Sequence, residues 1–252
     1  MSSQAFSIKQ PYQASIGTHN VDYRHRSSPR LNSAIITIIV GKDQRLFAAH
    51  EDVLCKAPFF AEVCRDQFFQ ANAKRIALVD EEPEVFSAIL EYLYKGDYYP
   101  RLLHDKRRNT WILEDGPEVL SPKSDGGHGD GSATMYHRFA GDVILKDTAL
   151  YCSAERYGID ELKRLALRKQ GLQVGIDVAT ILRSARYAYD KTPETESRLR
   201  AHYLALIIRS RKTFKRSGTM QLEMENGGKM FFDLFVAMCN HIDDLMEHGQ
   251  VC

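Results

Sequence analysis

Paired cysteines are missing from this 252-residue chain. Its five cysteines (Cys55, Cys64, Cys152, Cys239 and Cys252) are scattered, odd in number and form no C-x-x-C pair. That usage argues against a disulfide framework and for a reducing compartment, cytoplasmic or nuclear. Charge of one sign is missing too. Thirty-four Lys and Arg stand against 33 Asp and Glu, a formal net charge of +1, so there is no global pull towards nucleic acid or an anionic membrane. No apolar run approaches the ~20 residues that cross a bilayer. The longest, around Ile35 to Val40, is interrupted by Thr37. The opening MSSQAFSIKQ is polar and does not read as a signal peptide. No repeat period, no paired-cysteine and paired-histidine zinc pattern and no heptad run stand out.

Motifs for chemistry are equally scarce. His104, His128, His137 and Cys152 lack zinc-ligand spacing. The glycines Gly126, Gly127, Gly129 and Gly131 lack the following Lys-Ser or Lys-Thr of a phosphate-cradling loop. Lys215 to Gly218 lacks the flanks of a nucleophile elbow. No catalytic residue, cofactor or metal is expected, and the chain does not read as an enzyme.

What is there is a globular composition, 44% apolar and 27% charged, with clear periodicity. Residues 1–32, rich in Ser, Gln and Arg, read as a disordered tail. Ile35 to Val40 predict a strand buried on both faces, or nearly so. Gly41 to Gln44 predict a turn, and Arg45 to Ala48 a returning strand. Helices are predicted from His50 and from Pro58, then a third strand over Arg75 to Val79. A longer helix with Val85, Phe86, Ile89, Leu90 and Leu93 on one face should stop at Gly96. From about Pro100 to Gly141 the pattern breaks, and DGGHGDGS reads as the centre of a flexible insertion, with Trp111 to Leu113 able to dock locally. Helical stripes resume at Ala149. Asp160 and Asp177 are the expected caps of two further helices. Phe231, Leu234, Phe235, Met238, Ile242 and Leu245 mark the last.

Three motifs occur in order. LFAAHEDVLCKAPFF (Leu46 to Phe60) supplies Phe47, His50, Leu54, Phe59 and Phe60, followed by Phe68. Ile76 and Leu78 precede LEYLYKGDY, with Leu90, Leu93, Tyr94, Gly96 and Tyr98. Ala154, Tyr157, Leu162 and Lys163 come last. The chain resembles the BTB/POZ family over residues 33–99 and 142–170. The late insertion and helical tail are similar to its fungal branch. The resemblance implies an α+β fold, a short mixed sheet capped by helices over residues 33–170 with an insertion at about 100–141. An all-helical extension follows over 171–252.

It also implies a non-enzymatic protein-interaction platform, with other proteins as partners: a cullin-3 scaffold, which would make the chain a ubiquitin-ligase substrate adaptor, or a second copy as a homodimer. Phe68, Phe69 and Gln70 occupy the position where cullin-binding members often carry a hydrophobic-x-Glu signature, and Gln70 lacks that charge. Ala34 stands where many dimer-forming members carry Asp. Phe68, Phe69, Gln70, Tyr98 and Tyr99 are the interaction candidates.

A second reading comes from Ile208 to Gly218, where Arg209, Arg211, Lys212, Lys215 and Arg216 cluster. This is either a solvated helix end or a basic patch through which a nuclear regulator engages acidic partners or nucleic acid. Nothing in it points to base recognition. His50 reads as a structural histidine near a turn. Cys55 and Cys64 read as buried and inert; the alternative is a thiol sensor whose pKa is lowered by Lys56 or Arg65, adjacent in sequence.

Overall fold

The computed structural model describes residues 33–65, 74–114 and 133–249. The expected tail over 1–32, the Phe68 to Gln70 segment and the DGGHGDGS stretch lie outside them. Strands β1 (Ile35–Val40) and β2 (Arg45–His50) form an antiparallel hairpin, and β3 (Arg75–Leu78) runs parallel to β1 on its other side, so the order is β2-β1-β3. The hairpin turns at Gly41, with φ of 74°. The positive φ favours glycine, and a Cβ there would also crowd Glu81 O and Pro83 at 3.3 Å.

Helices α1 (Glu51–Leu54), α2 (Pro58–Arg65) and α3 (Pro83–Lys95) cover one sheet face. Ile36, Ile38 and Val40 of β1 are fully buried beneath them, together with Val53, Leu54, Phe60, Phe86 and Ile89. Phe60 stacks 4.9 Å from the Tyr157 ring, and burying such a side chain stabilises the fold by roughly 3 kcal/mol. Pro58 opens α2 and Gly96 closes α3 in the left-handed conformation, φ 79°, as the sequence indicates. Two boundaries move. His50 ends β2 instead of opening the helix, and β3 stops at Leu78, leaving Val79 exposed.

The expected pattern-free segment over 100–141 contains regular structure. β4 (Leu102–Asp105) and β5 (Thr110–Leu113) form one hairpin, and β6 (Thr134–His137) and β7 (Asp142–Leu145) another. The Asp105 side chain accepts the backbone N–H groups of Arg107 and Arg108, which fixes the first turn. Trp111 does dock, with the Arg168 guanidinium 5.6 Å from its ring.

Helices α4 (Lys146–Tyr157), α5 (Asp160–Gln170), α6 (Val178–Lys191), α7 (Arg198–Arg209), α8 (Arg211–Phe214), α9 (Gly218–Glu225) and α10 (Lys229–Gly249) complete the chain. Asp177 caps α6 by accepting from the Thr180 N–H at 2.9 Å. Asp160 does not cap α5. Ile159 holds that position, and Asp160 contributes its charge to the first turn.

The helical region does not stand apart from the sheet. One continuous cluster of buried apolar side chains runs from Ile36 to Leu234. Polar links cross the same boundary: Ser184 Oγ accepts the Leu145 N–H at 2.8 Å, and the Thr148 hydroxyl sits 2.5 Å from that of Tyr203.

Candidate interaction surface

Among the described residues, the second face of the sheet carries no helix. Register places Ile35, Thr37 and Ile39 of β1 beside His50, Ala48 and Leu46 of β2, with Arg75 and Ala77 of β3 beside Thr37 and Ile39. Ile35 is 63% exposed and Leu46 68%. The β-branched run of β1 is therefore a one-face core strand whose other side reaches solvent, not the doubly buried strand its composition indicates. Where the hairpin passes into α1, Tyr94 of α3 fixes the corner. Its hydroxyl accepts the His50 N–H at 2.9 Å and lies 2.7 Å from His50 Nδ1. His50 is thus structural, as expected, with a tyrosine hydroxyl as its partner in place of backbone.

A short mixed sheet with helices on one face, entered through this histidine corner, is the arrangement implied by the sequence motifs. Residues 33–106 match the BTB/POZ domain family. The chain carries a BTB/POZ domain. BTB/POZ domains are protein-interaction modules. No curated protein matches the chain.

Within and beside the BTB/POZ domain, the interaction candidates separate. Phe68, Phe69 and Gln70 lie outside the described residues. Tyr98 is wholly buried, and its hydroxyl donates to Asp147 Oδ1 at 2.6 Å, so its ring has no surface to offer a partner. Burial, reinforced by Asp147, drives its pKa well above the ordinary tyrosine range. Tyr99, the next residue, is 44% exposed. Arg209, Arg211, Lys212, Lys215 and Arg216 are all exposed, far from the sheet in sequence and carried on the end of α7, on α8 and on the turn before α9.

Cys64 is pushed up to about 12, first by burial and then by Cys55. The Lys56 ammonium reaches the Leu93 carbonyl at 3.0 Å. The thiol stays protonated at neutral pH.

Sequence reasoning missed a cleft of about 350 Å³ where the domain meets the helical extension, lined by Asp80, His137, Phe139, Ser153, Arg156 and Lys191. Lys42 and Lys191 both approach the Phe139 ring, at 5.5 and 5.9 Å. His137 Nε2 lies 3.0 Å from the Tyr187 hydroxyl. Burial, with Lys191 and Arg156 adding positive charge, holds His137 down to about 4. Burial also raises the Cys152 thiol in the cleft wall to about 12. At neutral pH the imidazole is neutral and the thiol protonated, so both offer the cleft uncharged polar contacts.

The sign of the His137 effect follows from its depressed pKa. The unfolded chain takes up the proton near 6.5, the folded one only near 4. The stabilisation is therefore complete above 6.5 and is lost as pH falls through 4, at up to about 1.4 kcal/mol per pH unit. His137→Gln is expected to flatten urea-unfolding stability between those limits relative to the parent. Parallel curves for the two proteins would refute the assignment.

Proposed function

We propose that this protein is a non-enzymatic interaction adaptor of the cytoplasm or nucleus, whose BTB/POZ domain recruits a protein partner. The observation that carries the reading is the BTB/POZ match over residues 33–106, on a sheet whose Ile35 and Leu46 are exposed among the described residues. A cullin-3 scaffold is the partner favoured by the position of Phe68, Phe69 and Gln70 in the family pattern. A substrate would then be held by the helical region. The five exposed cations from Arg209 to Arg216 support a second reading, a nuclear regulator engaging acidic partners.

One binding experiment addresses both. Calorimetry of the full chain with the cullin-3 amino-terminal region is expected to give saturable binding, and Gln70→Glu should tighten it about fivefold, the gain of a charge-assisted over a neutral hydrogen bond. No binding at about tens of micromolar for either protein removes the cullin reading. Binding that weakens steeply with salt and disappears when the five cations are neutralised assigns it to the basic run instead.

A further inference from the structure

Helix α10 presents an apolar seam that is left exposed among the described residues. Met230 and Leu234 are buried and hold its first two turns against the body. Beyond them Phe232, Phe235, Cys239, Ile242 and Met246 recur at alternating intervals of three and four residues, the 3.5-residue period of a helix-pairing seam. Met238 and Leu245 widen it. Phe232, Phe235, Met238, Ile242, Leu245 and Met246 are each between 40% and 68% exposed. From Ile242 to Glu247 every residue is exposed.

We propose that α10 is a homotypic docking helix, through which two copies of this chain pair antiparallel along the seam from Phe232 to Met246. Three observations select a second copy. The first is area: the seam exposes roughly 700 Å² of apolar surface, above the ~300–600 Å² patches of ordinary monomers, and pairing two copies removes about 1,400 Å², a standard interface. The second is pattern. A seam of 3.5-residue period can pack against a copy of itself running the other way, the isologous arrangement that a twofold axis requires. The third is charge. Asp243, Asp244 and Glu247 crowd the C-terminal half, while the positive end of the helix dipole lies at the start, where Lys229 is already paired with Glu194. Half-buried Asp233 is the one acid in the first two turns. Antiparallel pairing sets each acidic half beside the positive end of its neighbour, whereas parallel pairing stacks the acids.

This surface lies outside residues 33–106, so it does not depend on partner recruitment by the BTB/POZ domain. Light scattering on the full chain, paired with the Phe235→Glu/Ile242→Glu double variant, tests it. Both positions are exposed in the monomer, so the variant should keep its circular dichroism. Val174→Glu, an exposed site away from α10, is the control. The parent is expected at no less than twice the 28.7 kDa chain mass, the double variant at half the parent's mass, and the control unchanged. A monomeric parent overturns the proposal and leaves the seam to a different partner. A double variant that keeps the parent's mass also overturns it and places self-association elsewhere, as pairing through the BTB/POZ domain alone would.

Discussion

Lys169→Met is expected to lower folding stability by about 3–5 kcal/mol, the range for breaking a buried charge pair on one side. The Lys169 side chain is 0% exposed. Its ammonium donates to Asp97 Oδ1 and the Tyr98 carbonyl, both at 2.5 Å, and to the Pro100 carbonyl at 2.7 Å. It also lies 3.6 Å from the centre of the Tyr98 ring. These groups belong to the chain leaving α3, so one cation on α5 closes the loop between the BTB/POZ helix and the β4–β5 hairpin. Burial pushes its pKa down and Asp97 pushes it back up. The site is therefore costly to build and more costly to half-remove. Methionine fills the volume but leaves two buried carbonyls without a donor. For a chain of this size the midpoint of thermal unfolding should fall by about 10 °C. A change of under ~1 kcal/mol in urea unfolding would show that Lys169 reaches water and that its partners are solvated without it.

Much of the BTB/POZ half was legible because its signals are local. Glycine at positions 41 and 96 marks a hairpin turn and a helix stop that require positive φ. Phe47, His50 and Leu54 mark the strand-to-helix corner. β4 to β7 were not legible. Four-residue strands such as LLHD and TMYH carry too little alternation to outweigh the flanking glycines and charges, and their pairing is settled by neighbours. The buried charges were not legible either. Glu81, Asp147 and Lys169 look like solvated surface in sequence, and only partners about 50 to 75 residues away turn them inward.

The reverse failure occurs at Ile35, Leu46 and α10. Periodicity states that a face is apolar but not what covers it. Phe235, Met238, Ile242 and Leu245 form the expected helical stripe, yet they face solvent. The heptad spacing spans only two repeats and so escapes a search for long coiled coils. The five cations from Arg209 to Arg216 are exposed, as cations without buried acids nearby remain in water. Tyr98 misled for the opposite reason. An aromatic after a helix stop reads as surface until Asp147 is found beneath it.

Glu81→Ala is expected to cost about 3 kcal/mol and to disturb the cleft as well as the fold. Glu81 follows β3 and is 3% exposed. Its carboxylate accepts from Ser153 Oγ at 3.1 Å, Arg156 Nη2 at 2.5 Å and Tyr157 Oη at 2.6 Å, with the Glu82 N–H at 3.1 Å. Three of these donors lie on α4, so one side chain ties the end of the sheet to the helix that begins the C-terminal half. Alanine orphans Tyr157, whose ring is also packed on Phe60. Arg156 suffers less because its side chain is 45% exposed and can turn to water. The loss should therefore fall below that of Lys169→Met. Glu81→Gln should recover about half of it, since one oxygen still accepts while the new amide opposes a donor. Ser153 and Arg156 also line the cleft, so hydrogen exchange in α4 and at His137 should rise in Glu81→Ala even well below its unfolding temperature. Unchanged exchange there, with stability within ~1 kcal/mol of the parent, would mean that the Phe60–Tyr157 contact alone holds α4 against the sheet.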